Sequence, residues 1–311
     1  MATIVKSEKS GPKSRKKSKF WSLEHQNIGY LLIAPSYLIY VIFILIPIFW
    51  SLAMSFTDFN FRQLNFVGFD NYIRLFSDAI FMRALWNTVY FTLLTIFPAI
   101  ALGLAMAVFL NRKIKGLGFF RTFYYLPNIL SVVAVSMAWL YLMDTNAGIL
   151  NRIIHTYLGF DRVRWLSDPN IAMISVAITF VWARLGYNMI LYLAGLQTIP
   201  EYLYEAAIVD GANGFQQFRH ITFPLLAPTT FFVFVMACIH SFQVFGPVLI
   251  LTQGGPINST TTIAHQIYQN GFEFFLMGYA SSQAVMLLLF TLAITVINMK
   301  YGKGGRGSDL S

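Results

Sequence analysis

Glu205, Asp210 and Arg219 are the charged residues of a polar, turn-punctuated stretch from Tyr204 to Pro228, YEAAIVDGANGFQQFRHITFPLLAP, wedged between two long apolar runs. Side chains of these types can catalyse reactions, bind metals or recognise a partner, and the spacing decides which. The five histidines, at 25, 155, 220, 240 and 265, show no H-E-x-x-H spacing, and neither a paired-carboxylate nor a Ser-His-Asp signal stands out. There is no G-x-x-x-x-G-K-[ST] phosphate loop; Gly302-Lys303 lacks the earlier glycine and a following Ser or Thr. The chain is therefore read as carrying no catalytic site, no metal and no cofactor of its own, so ATP, if it is used, is bound by another polypeptide. What remains is recognition.

The local chemistry fits that reading. Pro200 can open a helix because its missing N–H is not needed in the first turn, and Glu201 and Glu205 favour the positive N-terminal end. Leu203, Ala206 and Ala207 share a face at the i, i+3, i+4 spacing, and the small alanines permit close approach of another surface. Asp210-Gly211 supplies the stop, with glycine able to take the left-handed conformation. Phe215, Phe218 and Ile221 are expected to pack a second short helix back on the protein. Physics alone also allows an ordinary helical hairpin here, with the alanines chosen for helix propensity.

The elements that hold this loop are membrane spans. With 57% hydrophobic and 11% charged residues over 311 positions, and a mean hydropathy of +0.60, the chain is too apolar for a soluble domain. Runs of roughly twenty apolar residues cross a bilayer, and six are predicted: Ile28–Phe56, Leu85–Leu110, Phe119–Met143, Ile171–Leu193, Thr222–Leu251 and Met277–Met299. Pro35, Pro47, Pro98, Pro127 and Pro247 lie inside these runs and can kink them. The expected fold is an all-α integral membrane domain over 28–299, between a basic N-terminal tail, 1–27, and a short C-terminal tail, 300–311. The first apolar run is too long for a signal-peptide core and is expected to remain. Cys238 is the lone cysteine, cannot form an intramolecular disulfide, and reads as packing.

Net charge, +9, might suggest nucleic acid, but seven of the 22 Lys and Arg residues fall between Lys6 and Lys19, beside a span. Placing the N-terminus inside puts fifteen basic residues on the cytoplasmic side, among them Arg112, Lys113, Lys115, Arg121 and Arg219, against six outside, with Arg184 in the membrane. Both termini and the 195–221 segment then face the cytoplasm, and the partner the segment meets is cytoplasmic. No span contains a carboxylate, which disfavours a carrier driven by an ion gradient.

The pattern Glu205-Ala206-Ala207, Asp210-Gly211-Ala212, Ile221 and Pro224 resembles the EAA loop of permease subunits in bacterial ABC importers. Gly195-Leu196-Gln197-Thr198-Ile199-Pro200 upstream and Leu251-Thr252-Gln253-Gly254-Gly255-Pro256 downstream look like the branch that imports sugars and related compounds, and agreement runs from about Tyr30 to Met299. The resemblance implies a type I importer fold and an inner-membrane location. It also implies a second permease, two ATP-binding subunits carrying ATP and Mg, and an external solute-binding protein. The loop would be a coupling helix, with Glu205, Ala206, Ala207, Asp210 and Gly211 contacting the ATPase. Some relatives carry further N-terminal spans and a large external insertion, whereas six spans and short loops are predicted here.

A solute path would be built from polar and aromatic residues deep in the spans. Trp139, Trp182, Arg184, Tyr187, Asn188, Tyr192, Gln243 and Phe245 fit that description, with Arg184, Tyr187, Asn188, Gln243 and Phe245 as the expected lining. Amide and guanidinium donors beside aromatic rings suit sugars, which offer hydroxyls on their edges and C–H groups on their faces. An oligosaccharide or related glycoside is the leading substrate. A polyol or glycerol phosphate is the alternative because of Arg184, and an ion-coupled carrier using His240 is the alternative of a different class.

Overall fold

The computed structural model describes residues 19–111 and 116–301; most of the predicted basic tail, the basic residues Arg112, Lys113 and Lys115, and the C-terminal tail beyond Tyr301 lie outside them. Regular structure among the described residues is helical, with one isolated antiparallel bridge between Thr57 and Phe66. The chain divides into two compact units, residues 1–50 and 51–311.

Helix α1 (Lys19–Tyr40) passes through a π-type turn, Val41–Leu45, into α2 (Ile46–Met54), and the boundary between the units falls within α2, after Trp50. The widened turn ends two residues before Pro47, whose missing N–H deprives the Phe43 carbonyl of its helical donor. Tyr30–Met54 is 25 residues long and apolar enough to span.

After the end of α2 the second unit continues with α3 (Asp70–Ser77), α4 (Ala79–Leu110), α5 (Leu117–Ile129) and α6 (Val132–Leu142). It continues with α7 (Ile149–Leu158), α8 (Ala172–Leu196), α9 (Glu201–Val209), α10 (Gly214–Gln217) and α11 (Phe223–Leu225). The remaining helices are α12 (Ala227–Phe242), α13 (Gly246–Leu251), α14 (Ile263–Tyr268) and α15 (Met277–Tyr301). Among the described residues, four helices are long and apolar enough to cross a membrane, and the number rises to six when each of two bent pairs is counted as one span.

Two predicted spans are broken. The third, predicted as Phe119–Met143, bends by 97° between α5 and α6. Pro127 removes a helical donor one turn before the break, and the Ser131 hydroxyl accepts from the Val133 amide to start α6 afresh. The fifth, predicted as Thr222–Leu251, bends by 64° ahead of α12, stops at Phe242 and resumes as the short α13, with Pro247 in its first turn. The second span starts earlier than predicted, at Ala79, because Asp78 caps it through the amides of Ile80 (2.8 Å) and Phe81 (3.3 Å).

Helices α4 and α8 form the centre. At one end Ala107 and Leu110 of α4 pack with Met189, Tyr192, Leu193 and Leu196 of α8 and with Leu226 and Val233. Nearer the other end Phe91 of α4 meets Val176, Ala177 and Phe180 of α8 and Val248 of α13. Buried Thr88, Thr92 and Thr95 donate to carbonyls one turn back in α4, and Thr95 also meets Ser241 of α12 at 2.9 Å, so these three hydroxyls are satisfied.

Candidate functional site

Two sites come from the predicted residues. The first is the loop after α8. Pro200 sits one position before the helix, in extended conformation (ψ 132°), rather than in its first turn, and α9 follows with Glu201 leading. The helix stops in a double bond pattern: the Gly211 amide donates to the Ile208 carbonyl at 3.0 Å, and the Ala212 amide to the Ala207 carbonyl at 2.8 Å. Gly211 has φ +81°, so the left-handed conformation expected of it is present. A reciprocal cap restarts the chain: Asn213 Oδ1 accepts from the Gln216 amide and Gln216 Oε1 from the Asn213 amide. Tyr204 and Thr222 hydroxyls, 2.9 Å apart, tie α9 to the return segment. A shallow concavity of about 360 Å³ lies between the two arms, lined by Ala207, Asp210, Gly211, Gln217 and His220 among others.

Glu205, Ala206, Asp210 and Gly211 are exposed, and Ala207 is half-buried. One expectation fails. Phe215 is 70% exposed rather than packed inward, while Phe218 and Ile221 do turn partly in. With Tyr202 (65%), Ile208 (63%) and Val209 (87%), Phe215 gives the loop an apolar outer surface. Burying Phe215 would require the single turn of α10 to face the protein; its cap orients it outward.

The second site is a cavity of about 380 Å³ at the bend between α5 and α6, closed by α8, the end of α12 and the start of α13. Arg184, His240, Gln243 and Phe245 line it with Asn128 and Ser136. Arg184 stands about 18 Å along α8. It donates one long hydrogen bond, 3.5 Å, to Asn128 Oδ1, and its guanidinium carbon is 5.9 Å from the Phe180 ring centre.

The segment from residue 99 to residue 301, which contains the loop, the bent-span cavity, all of α8 and the end of α4, matches the model of the binding-protein-dependent transport system inner membrane component. The chain belongs to this permease family. It is a multi-pass protein of the inner membrane and a transport subunit of the ABC type. The permease is 35% identical to the probable ABC transporter permease protein YurN of Bacillus subtilis, over 91% of this chain and 98% of the relative. It is 34% identical to the sn-glycerol-3-phosphate transport system permease protein UgpA of Agrobacterium fabrum, over 88% and 94%. A chain in the crystal structure of a bacterial alginate ABC transporter, in complex with alginate pentasaccharide-bound periplasmic protein, superposes with a TM-score of 0.79 at 25% identity, covering 91% of this permease and 96% of that chain.

Of the five residues expected to line the path, the permease places Arg184, Gln243 and Phe245 on the cavity. Tyr187 stands behind them, its ring edge-on to His240 at 6.3 Å. Asn188 does not face the cavity; it is buried between α8 and α4, donating to the Ala99 carbonyl at 3.3 Å. Tyr192 is likewise core, and Trp139 and Trp182, edge to face at 5.6 Å, line a separate apolar groove with Pro98 and Leu102.

Sequence reasoning missed Asn128, Ser136 and the side chains that anchor the turn beyond α13. There, Asn87 donates to the carbonyls of Asn258 and Thr261, both at 2.9 Å, and Arg83 to that of Ile257 at 3.0 Å, which locks the 254–260 turn onto α4. His265 is sealed beneath Gly254: its Nδ1 is 3.1 Å from Thr261 Oγ1, and its Nε2 has no partner among the described residues. Burial holds its pKa below the ordinary imidazole range, with Glu273 pulling weakly the other way.

Proposed function

We propose that this permease forms half of the translocation pathway of an ATP-driven, binding-protein-dependent importer of a hydroxyl-rich solute of the oligosaccharide or glycoside class. The observation that carries the reading is the α9 loop. Its backbone is rigidly stopped at Gly211, yet it projects Val209, Ile208, Tyr202 and Phe215 outward. An exposed apolar patch outside the spans calls for a partner, and Glu205, Ala206, Ala207, Asp210 and Gly211 border it.

That partner is an ATP-binding subunit. ATP and Mg bind there, and its closure moves α8 and α12 through the two arms of the loop. The basic ends of the chain and Arg219 support a cytoplasmic position for the loop and both termini. A second permease completes the pathway, and an external binding protein docks at the opposite end, near the 254–260 turn. The relatives named for glycerol phosphate and for alginate support a polyhydroxy solute, and Gln243, Asn128 and Phe245 offer amide and aromatic contacts suited to one. The check is co-purification: Val209→Asp should release the ATP-binding subunits while the permease pair stays assembled. Undiminished recovery of those subunits would refute the coupling role of the loop.

A further inference from the structure

The bent-span cavity is charged in one sense only. Arg184 is on its wall near the middle of α8, and no Asp or Glu is among the residues that line it. A guanidinium at that depth without a counter-ion is costly, and it is retained where it meets an anion.

The broken span supplies a second, independent feature. The first turn of α6 lines the same cavity. Its Val133 amide is satisfied by Ser131, and the first bond within the helix runs from the Val135 amide to the Ser131 carbonyl, which leaves the amides of Val132 and Ala134 without helical acceptors. The positive end of the helix dipole is therefore directed here. Ser136, on the cavity wall and fully buried, has a hydroxyl with no partner among the described residues. Discontinuous spans present helix N-termini to anionic groups of transported solutes in this manner.

We propose that Arg184, the α6 N-terminus and Ser136 form an anion subsite that holds a carboxylate or phosphate group of the solute, so that the transported glycoside or polyol is acidic rather than neutral. This rests on the importer reading above. Gln243 and Asn128 then take hydroxyls beside the charged group.

The test uses the full assembly in liposomes, with its partner permease, ATP-binding subunits and binding protein. It is offered digalactose against digalacturonate, glycerol against sn-glycerol 3-phosphate, and glucose against glucose 6-phosphate. The charged member of at least one pair should enter at least tenfold faster than the neutral one, should lose at least tenfold in Arg184→Gln, and should recover in part in Arg184→Lys, which keeps a point charge. A carboxylate from the partner permease on Arg184 would neutralise it, and both members of a pair would then enter alike. That outcome, neutral uptake alone, or acidic uptake indifferent to Arg184→Gln overturns the subsite and leaves the importer standing. ATP-dependent uptake of none of the six solutes overturns both.

Discussion

Asn188 and Gly103 are packed against each other so closely that a Cβ on Gly103 would stand 2.7 Å from the Asn188 Cβ. The contact explains why an amide in the middle of a span serves packing: glycine lets α4 approach α8, and Asn188 reaches the Ala99 carbonyl across the gap. Gly103→Ala sets two effects in opposition. Helix propensity favours alanine by about 1 kcal/mol, whereas overpacking against a Cβ that cannot rotate away costs about 1–3 kcal/mol. The steric term should win, lowering Tm in detergent by several degrees; an unchanged or higher Tm would contradict the packing. Asn188→Ala should lower stability by about 0.5–1.5 kcal/mol and leave the solute's KM unchanged.

Gly211 separates backbone conformation from bulk, because a Cβ there meets nothing within 4 Å. A β-branched residue at φ +81° is strained by about 1–3 kcal/mol, so Gly211→Val should shift the stop of α9 and lower solute carried per ATP hydrolysed. Gly211→Asn, which tolerates the left-handed region, should keep most of the coupling. Equal coupling in both variants would show that the conformation is irrelevant.

Asp78 holds three elements together: it caps α4 and accepts from the Tyr279 hydroxyl of α15 at 2.7 Å, while Arg74 of α3 lies 4.2 Å over the Tyr279 ring. Tyr279→Phe should cost about 1.5–3 kcal/mol, the range for a hydrogen bond to a charged group. Asp78→Ala, which also removes the cap, should cost about 1 kcal/mol more. Denaturant melts of the two variants in parallel check the order, and Asp78→Ala melting above Tyr279→Phe would contradict it.

His265 gives the end of the molecule beyond α13 a pH dependence. Its folded pKa is depressed, so between that value and the ordinary imidazole range the unfolded chain binds more protons. Stability is therefore full above the ordinary range and falls as pH drops below it. Melting temperature from pH 7.5 to 5.5 should decline in the native protein and decline less in His265→Gln. Parallel curves would assign the loss to other groups.

Much of this was legible in the sequence. The apolar runs placed six spans, and Asp210-Gly211 announced the stop of α9 because only a few residues tolerate that backbone. The bend after Pro127 was not legible, since proline in a span gives either a gentle kink or a break, and Ser131 restarting α6 decides between them. Arg184 and Asn188 were grouped because both are polar and lie deep in a span. The structure splits them, since α8 is packed on several sides and the facing Gly103 draws Asn188 into the seam. That glycine was the available signal. Phe215 misled for the opposite reason: an apolar residue in a loop was assumed to be core, although an interaction surface has the same composition.

The most direct measurement is solute uptake into liposomes containing this permease with its partner subunits, with and without ATP. Uptake that requires both ATP hydrolysis and the ATP-binding subunits is the predicted result. Uptake by this chain alone, driven by a proton or sodium gradient, would contradict the account and return His240 to the position of a coupling residue.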